Sequence, residues 1–460
     1  MPSAIPPQSP RSGVVRFTNC TSVSGTDARR KDVWFSRDSG TIINGQQLFY
    51  GEGSGPDEVI DLGGRIVCPG FIDVQFNGAY NFDFSNPTHG PEAYERSLKR
   101  LNARIVTTGV TSYLPTVTSS RAEVYHQTLP FLGPSGARRD PADGAESLGA
   151  HCEGPFISAG KNGCHSLAVL QAGHDGHAGL EACYGRANLT RSKAGPPRVK
   201  MITAAPELGA VLDAIPQLAK SGIVVAVGHS DATYEEAAAA LAAGGTMVTH
   251  LFNQMAPLHH RAPGIPGLLG RTPREHRPFF GVIADGVHLH PSVVKLAYTA
   301  HPEGLILVTD AMSLLGLADG TYPWTNGEQI VKHGSRLILH GTDRIAGSTA
   351  TLIDCVNNFL AWTGVGVAEA LRCVTATPAK MLGLRDKGVL EPGADADMVV
   401  LDRADDDEGT ETLEVYQVWK FGALVYQRPD SNTAVPVATV EESRCLVEKL
   451  MPCSDDVFTL

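Results

Sequence analysis

Residues 223–253 read IVVAVGHSDATYEEAAAALAAGGTMVTHLFN and contain two short apolar runs separated by one helical segment. The runs IVVAVGHS (223–230) and GTMVTHLFN (245–253) are rich in aliphatic and β-branched residues, which favours buried strands. The alanine-rich segment between them predicts a helix, with Ser230 and Asp231 as candidate N-caps. A strand, a helix and a second strand in this order predict a βαβ unit with parallel strands.

Apolar runs of this kind occur eight times in the middle of the chain. They are GFIDVQFN (70–77), VTSYLPT (110–116), LGAHCEG (148–154), VKMITAAPE (199–207), IVVAVGHS (223–230), GTMVTHLFN (245–253), FFGVIADGVH (279–288) and GLILVTDAM (304–312). Helical segments lie between several of them. Eight strands alternating with helices predict an α/β protein with a closed (β/α)8 barrel, and an open doubly wound sheet is the alternative.

The two ends of the chain have a different pattern, with short alternating runs broken by Gly and Asp. We expect these ends to pair as one small β-sandwich domain, with the barrel inserted between them. The predicted limits are a disordered tail at 1–12, the β domain at 13–66 plus 388–440, the catalytic barrel at 67–387, and a C-terminal helix and tail at 441–460. Within the second β segment, the acidic stretch 402–414 is expected to be a solvated loop.

Composition excludes several classes of protein. The 460 residues carry a net charge of −11 and no long basic block, so neither nucleic acid nor an anionic membrane is an expected partner. The nine cysteines are scattered without a CxxC pair, which disfavours a disulfide framework and suits a reducing cytosol. We find no apolar N-terminal signal and no run of 18 apolar residues, and therefore expect a cytoplasmic protein.

Polar residues follow most of the eight runs, where parallel barrels present their active sites. They are Asp73, Gln75 and Asn77 in the first run, Glu153 in the third, His229 in the fifth, His250 and Asn253 in the sixth, Asp285 and His288 in the seventh, and Asp310 in the eighth. One histidine after a strand is usually a hydrogen-bonded loop residue. Several acids and imidazoles at one rim, however, form an ordinary site for a divalent metal, zinc first, and an open coordination position makes such a site catalytic.

Eight motifs resemble the N-acetylglucosamine-6-phosphate deacetylases of the amidohydrolase superfamily. They are VCPGFIDVQFNGAYNFDFS (67–85), GVTSYLPTVTSS (109–120), LGAHCEGPFIS (148–158), VGHSDATYEEA (227–237), THLFNQMAPLHHRAPG (249–264), ADGVHLHP (284–291), LVTDAM (307–312) and AGSTATLID (346–354). A ninth, KGVLEPGADADMVVLD (387–402), resembles the return of the superfamily's chain to its small β domain. PGFID indicates only the superfamily, whereas CEGPF, GHSDAT and THLFNQM are far more specific to this deacetylase.

The resemblance implies a reaction and a set of roles. Glu153, His229 and His250 would hold one divalent metal ion per subunit, expected to be zinc. Gln75 stands where many amidohydrolases have the first histidine of a His-x-His pair, and would hydrogen-bond a metal-bound water. Asp310 would act as general base and then general acid, and His165 would polarise the acetamide carbonyl.

The resemblance also implies contacts with a phosphosugar substrate. The expected substrate-binding residues are Cys164, His165, Asn253, Gln254, Arg261, Asp285, Gly286, Val287, His288, Ile345, Ala346 and Gly347. Arg261 is the expected phosphate ligand, because a guanidinium matches phosphate oxygens bidentately. Arg261 and His288 can serve the neighbouring subunit's site in the family, which implies a homodimer. Cys164 and Gln254 depart from the residues that many relatives have there.

Two other functions stay open on the sequence. One is hydrolysis of another amide or of a cyclic imide on the same fold. The other is a catalytically inactive scaffold, which the presence of Glu153, His229, His250 and Asp310 disfavours.

Overall fold

The first strands of the chain build one side of a small β structure. A computed structural model describes residues 13–51, 54–192, 195–324, 329–405 and 411–429. The N-terminal elements are β1 (Val14–Thr18), β2 (Thr21–Ser24), β3 (Asp27–Arg30), β4 (Val33–Ser36), β5 (Thr41–Ile42), α1 (Gly45–Gly51), β6 (Glu58–Asp61) and β7 (Ile66–Pro69). Their alternating burial, as in β1 and β4, fits strands with one face on a core.

The central part of the chain contains the strands of the barrel. They are β8 (Phe71–Phe76), β11 (Val110–Thr118), β13 (Ala150–Glu153), β14 (Val199–Ala204), β15 (Val224–Val227), β16 (Met247–Val248), β17 (Phe279–Ile283) and β18 (Leu305–Val308); the short strands β9 (Gly78–Ala79), β10 (Phe82–Asp83) and β12 (Glu146–Ser147) lie in connections. Each barrel strand falls within or overlaps one of the eight predicted runs. The interior residues of these strands are almost all buried, as expected of parallel strands covered on both faces.

Helices cover the barrel, and two further groups of strands lie between α8 and α9 and after α11. The helices are α2 (Pro91–Ile105), α3 (Ala122–Leu132), α4 (Gly176–Tyr184), α5 (Arg186–Leu189), α6 (Val211–Lys220), α7 (Tyr234–Ala242), α8 (Pro291–Ala300), α9 (Leu352–Thr363), α10 (Val367–Arg372) and α11 (Ala376–Leu382). The remaining strands are β19 (Gly320–Pro323), β20 (Gln329–His333), β21 (Arg336–Leu339), β22 (Ile345–Ser348), β23 (Met398–Asp405), β24 (Glu411–Lys420) and β25 (Ala423–Gln427). None of the helices in the described ranges is long and apolar enough to cross a bilayer.

The barrel strands pair in parallel in the order β8-β11-β13-β14-β15-β16-β17-β18. The ring closes between β8 and the residues after β18, where the backbone N–H of Asp310 donates to the carbonyl of Gln75 at 2.9 Å. The Thr309 hydroxyl also donates to Asp73 Oδ2 at 2.6 Å, so a buried side chain strengthens the seam. The circular order confirms the predicted barrel and excludes the open doubly wound sheet.

Strands from both ends of the chain form two sheets over a shared apolar core. The sheets have the orders β5-β4-β1-β6 and β25-β24-β23-β7-β2-β3, and the antiparallel pairing of β7 with β23 joins the two ends. Phe17, Phe35 and Trp419 meet edge-to-face in this core, with ring centroids 4.9 to 5.6 Å apart. The predicted second β structure from the chain ends is therefore present.

Some of the predicted boundaries are not tested by the structure, and one predicted loop differs from it. The disordered tail at 1–12 and the helix at 441–460 lie outside the described residues, and the exact domain limits stay a prediction. The loop predicted over 402–414 is wrong at both ends: residues 402–405 and 411–414 are the paired arms of β23 and β24. Asp402 is held there by ion pairs with Arg65 at 3.2 Å and Arg428 at 2.8 Å, so its charge does not need solvent.

The N-cap predicted for α7 is also wrong. Thr233 caps the helix and forms a capping box with Glu236. Ser230 instead donates to Glu207 at 2.7 Å, and Asp231 accepts from the Ser158 hydroxyl at 2.5 Å. The loop between β15 and α7 is thus longer than expected, because its polar side chains bind neighbouring loops.

The strands β19, β20, β21 and β22 form an antiparallel meander that the sequence analysis did not predict. Isolated bridges from Phe76 to Ala311 and from Ala311 to Ser348 attach this sheet to the carboxyl end of the barrel. The meander, defined by these four strands, therefore forms part of the wall around the barrel mouth.

Candidate active site

Glu153, His229 and His250 converge at the carboxyl end of the barrel. Glu153 is the last residue of β13, and each histidine follows the end of its strand by two residues. Glu153 Oε1 lies 3.2 Å from His229 Nε2 and 3.1 Å from His250 Nε2, and the two Nε2 atoms are 3.0 Å apart. All three side chains are buried. The predicted metal ligands are therefore brought together.

The chemistry of these donors fits a divalent cation. His229 Nδ1–H donates to the carbonyl of Lys161 at 2.7 Å, which leaves the Nε2 lone pair facing Glu153 and His250. One carboxylate oxygen and two imidazole nitrogens, buried at about 3 Å from one another, repel unless a proton or a metal ion lies between them. His165 also places a ligand atom within 4.8 Å of atoms of Glu153 and His229, and His250 Nε2 lies 3.1 and 3.0 Å from the same two residues.

Asp310 lies beside this triad and shares a hydrogen-bond network with it. Asn77 Nδ2 donates to Asp310 Oδ1 at 2.7 Å, and Gln75 Nε2 lies 3.3 Å from the same oxygen and 2.9 Å from Glu153 Oε1. Burial, followed by the negative charge of Glu153, raises the pKa of Asp310 to about 6. A carboxyl group in this range can both accept and release a proton near neutral pH.

His165 is fixed by Ser119 in the wall of the same site. The backbone N–H of Ser119 donates to His165 Nδ1 at 3.2 Å, and the Ser119 hydroxyl lies 2.7 Å from that nitrogen. Burial, and then the neighbouring His229, lowers the pKa of His165 to about 3. The ring is therefore neutral, and because Nδ1 accepts, Nε2 carries the proton as a hydrogen-bond donor.

Three of these residues have a left-handed backbone. The φ angles of His229, His250 and Asp310 are 49°, 24° and 48°, in a region that residues other than glycine seldom adopt. Such strain persists where the surrounding structure imposes it, and it is common at functional sites. It turns each chain segment sharply at the strand end and directs the side chain into the barrel mouth.

The site opens into a cavity of about 220 Å³, which we call the catalytic cavity. Eleven of the predicted site residues line it: Glu153, Cys164, His165, His229, His250, Asn253, Gln254, His288, Asp310, Ile345 and Gly347. Two wall atoms, Asn77 Oδ1 and Asn253 Nδ2, are buried without a hydrogen-bond partner among the described residues. Polar atoms of this kind can bind water or a polar group of a ligand.

Six predicted site residues do not line the catalytic cavity. Gln75 is one of them, and it binds Glu153 and Asp310. Asp285 instead accepts from His288 Nδ1 at 2.7 Å and from the backbone N–H groups of Val287 and His288 at 2.9 Å, so it orients the imidazole. Gly286 lies in this same turn. Ala346 lines an adjoining cavity, and Arg261 lies exposed on a loop.

The sequence profile of the Amidohydrolase family matches residues 66–427. The chain belongs to the amidohydrolase family. The predicted resemblance to the deacetylases of this superfamily is confirmed by this match together with the similarity to proteins of that name.

Several proteins similar to this amidohydrolase are N-acetylglucosamine-6-phosphate deacetylases. It is 41% identical over 422 residues to the N-acetylglucosamine-6-phosphate deacetylase of Bos taurus, covering 91% of this chain and 97% of that one. It is 32% identical over 381 residues to the enzyme of that name from Vibrio furnissii, covering 81% and 86%. The crystal structure of the Mycobacterium smegmatis enzyme superposes with a TM-score of 0.70 at 28% identity, covering 90% of this chain and all of that one.

Several residues of the cavity wall of this amidohydrolase were not predicted from the sequence. Asn77 was noted at a strand end but was given no role, although it binds Asp310 directly. Asp343 and Arg344 also line the cavity. They lie between β21 and β22, and only the unpredicted meander brings them to the barrel mouth. No local signal in the sequence places them there.

Proposed function

We propose that this amidohydrolase hydrolyses the acetamide of N-acetyl-D-glucosamine 6-phosphate, giving D-glucosamine 6-phosphate and acetate. The observation that carries the proposal is the convergence of Glu153, His229 and His250 beside Asp310, in a chain similar over most of its length to deacetylases of that substrate. The protein is accordingly a hydrolase of linear amide bonds in amino-sugar metabolism, and we propose that it acts in the cytoplasm.

We assign one metal ion, zinc, to Glu153, His229 and His250. A bound divalent cation lowers the pKa of water and polarises a carbonyl oxygen. Hydrogen bonds from Asn77 and Gln75 to one oxygen hold the Asp310 carboxylate in place. Asp310 takes the proton of the attacking water and gives it to the departing amine nitrogen. The His165 Nε2–H donates to the acetamide oxygen, where negative charge develops.

An acetate-release assay on a panel of sugars tests the proposed reaction. We expect release from N-acetylglucosamine 6-phosphate to be the fastest, with slower release from the unphosphorylated sugar and from the galactosamine epimer. Hydrolysis of a cyclic imide without acetate release would show that the protein has the alternative activity, that of a cyclic-imide hydrolase with the same fold. No hydrolysis of any amide by the metal-loaded protein would indicate an inactive scaffold.

Substitution His250→Ala tests the metal site separately. Because it removes one of three ligands from an otherwise complete buried site, we expect it to abolish tight zinc binding and the acetate release that depends on it. Elemental analysis of the purified protein measures the first effect. His340→Ala, at an exposed histidine outside the cavity, is the matched control and should keep full metal content. Undiminished zinc in His250→Ala would contradict the ligand assignment.

We further propose a homodimer in which Arg261 serves the neighbouring subunit's site and binds the substrate phosphate, whereas His288 serves the catalytic cavity of its own chain, whose wall it lines. Support comes from the exposed position of Arg261 outside the cavity of its own chain. We expect Arg261→Ala and Asp310→Asn to be nearly inactive alone. Mixed dimers of the two should regain about a quarter of the normal activity, because half of them are hybrids with one complete site. No recovery after verified subunit exchange would assign Arg261 to its own chain or to no site.

A further inference from the structure

A second cavity of about 280 Å³ adjoins the catalytic cavity, and we call it the side chamber. It lies between the loop after β13 and the meander. Asn162 and Ser166 line it from the loop, and Trp324 and Leu339 from the meander. Gly163, Cys164, His165 and Arg344 belong to the walls of both cavities. A group in the side chamber is therefore adjacent to the reacting centre.

The charges in the two walls differ. The catalytic cavity carries the acids Glu153, Asp310 and Asp343, whereas no Asp or Glu is found among the described residues that line the side chamber. Arg344 is the only Lys or Arg in either wall, within the part of the chain that the structure describes. In a protein with a net charge of −11, and apart from the metal ion assigned to Glu153, His229 and His250, a small anion that enters this region meets the one cationic side chain of the described walls at Arg344, where the side chamber adds no opposing acid.

The Arg344 side chain is available for such an anion. Its guanidinium has no hydrogen-bond or ion-pair partner among the described residues, although its backbone is fixed by Leu339 at 3.0 Å and Thr342 at 3.1 Å. The residue is exposed and lies in the connection between two paired strands. A guanidinium without a partner can bind two oxygens of one oxyanion through its parallel N–H groups.

We propose that the side chamber is an anion-binding subsite of the deacetylation, with the Arg344 guanidinium as its cation. This rests on the proposed function, which involves two oxyanions: the phosphate of the substrate and the carboxylate of the acetate product. Both have the planar or tetrahedral oxygen pairs that a guanidinium recognises. The subsite binds one of them from within the same chain, independently of Arg261.

Steady-state kinetics of the full-length enzyme test this subsite with three variants. Arg344→Ala removes the cation. Arg344→Lys keeps the positive charge but lacks the planar guanidinium that binds two oxygens, and Arg336→Ala is the matched control. Arg336 is an exposed arginine of the same meander that lines neither cavity. Because Arg344 is exposed, we expect all three variants to fold normally, which thermal melting checks.

A site for the substrate phosphate and a site for the acetate product predict different changes in the kinetic constants. If the subsite binds phosphate, Arg344→Ala raises KM for N-acetylglucosamine 6-phosphate roughly 10- to 100-fold and leaves KM for N-acetylglucosamine unchanged. If it binds acetate, the same variant raises the product-inhibition constant of acetate by a similar factor and leaves both KM values unchanged. Arg344→Lys should fall between the wild type and Arg344→Ala, and Arg336→Ala should match the wild type.

Other results would overturn the subsite. The subsite is refuted if every one of these constants changes less than twofold in Arg344→Ala. It is also refuted if KM rises equally for both sugars, or if Arg336→Ala has an equal effect. If the wild-type enzyme releases no acetate, the proposed function fails instead. Calorimetric titration with inorganic phosphate and with sodium acetate then tests the subsite independently of the reaction. Binding that Arg344→Ala abolishes supports the subsite, and no binding to the wild type refutes it.

Discussion

Asp310→Asn should lower kcat by roughly 100- to 10,000-fold, because an amide cannot take a proton from water and return it to the amine nitrogen. The variant is nearly isosteric, and the donors Asn77 and Gln75 can still meet the remaining oxygen. The fold and the zinc content should therefore be kept. Acetate release under saturating substrate measures kcat, and elemental analysis of the same sample measures the metal.

Asp343→Asn is the matched control for this experiment. Asp343 is a second acid in the wall of the catalytic cavity, but it is exposed and lies on the meander. We expect it to retain most of the activity. A kcat in Asp310→Asn within tenfold of the normal value, with full metal content, would refute the role of Asp310 as general base and acid.

The second large effect is expected on stability, at a buried ion cluster between the barrel and the small β structure. Lys420 Nζ lies 2.5 Å from Glu146 Oε1 and 2.7 Å from Asp397 Oδ2. Lys387 Nζ contacts the same two carboxylates at 2.6 and 2.8 Å, and Asp395 at 2.6 Å. Both lysine side chains are almost fully buried. The cluster joins β12, which pairs with a barrel strand, to the ends of β24 and β23.

Lys420→Ala should reduce the free energy of unfolding by about 3–5 kcal/mol, because it leaves two buried carboxylates with a single remaining lysine. Urea denaturation followed by circular dichroism measures the loss. Arg138→Ala is the control: it breaks an exposed ion pair with Asp143 and should cost less than about 1 kcal/mol. A loss in Lys420→Ala no larger than in Arg138→Ala would show that the cluster adds little to stability.

The cluster also predicts how stability depends on pH. Burial alone would raise the pKa of Asp397, but Lys387 and Lys420 hold it well below its usual range. The stabilisation from this carboxylate is therefore present above the pKa of an unfolded aspartate, about 3.9, and is lost as the pH falls towards the lower value in the folded protein. Burial alone would lower the pKa of Lys387, but Asp397 and Glu146 raise it, so its contribution is complete below about pH 10.

Much of the barrel and its rim could be predicted because both signals are local. Each barrel strand is a short apolar run, and the polar residues that follow these runs meet at one rim because parallel strands all end there. Glu153, His229, His250 and Asp310 were found in this way. Their specific roles came from the family resemblance, since spacing alone does not distinguish a metal ligand from a hydrogen-bonded loop residue.

The parts that could not be predicted depend on tertiary packing. The strands of the meander are short and partly exposed, as in β19, so they lack the continuous apolar run that identifies a barrel strand. Without the meander, Arg344 cannot be placed near the site. The cap of α7 was assigned to Ser230 and Asp231 because both are good capping residues, but their side chains bind distant loops instead.

The pairing of β7 with β23 has a consequence for how the protein is made. Cys68 and Val399, which lie side by side in this pair, are 331 residues apart in the chain. At a ribosomal rate of about 5–20 residues per second, the first strands emerge roughly 15 to 70 s before their partners. Nascent chains must keep the apolar face around Phe17 and Val67 shielded for that time. We therefore expect premature termination before β23 to yield an aggregation-prone product rather than a shorter folded enzyme.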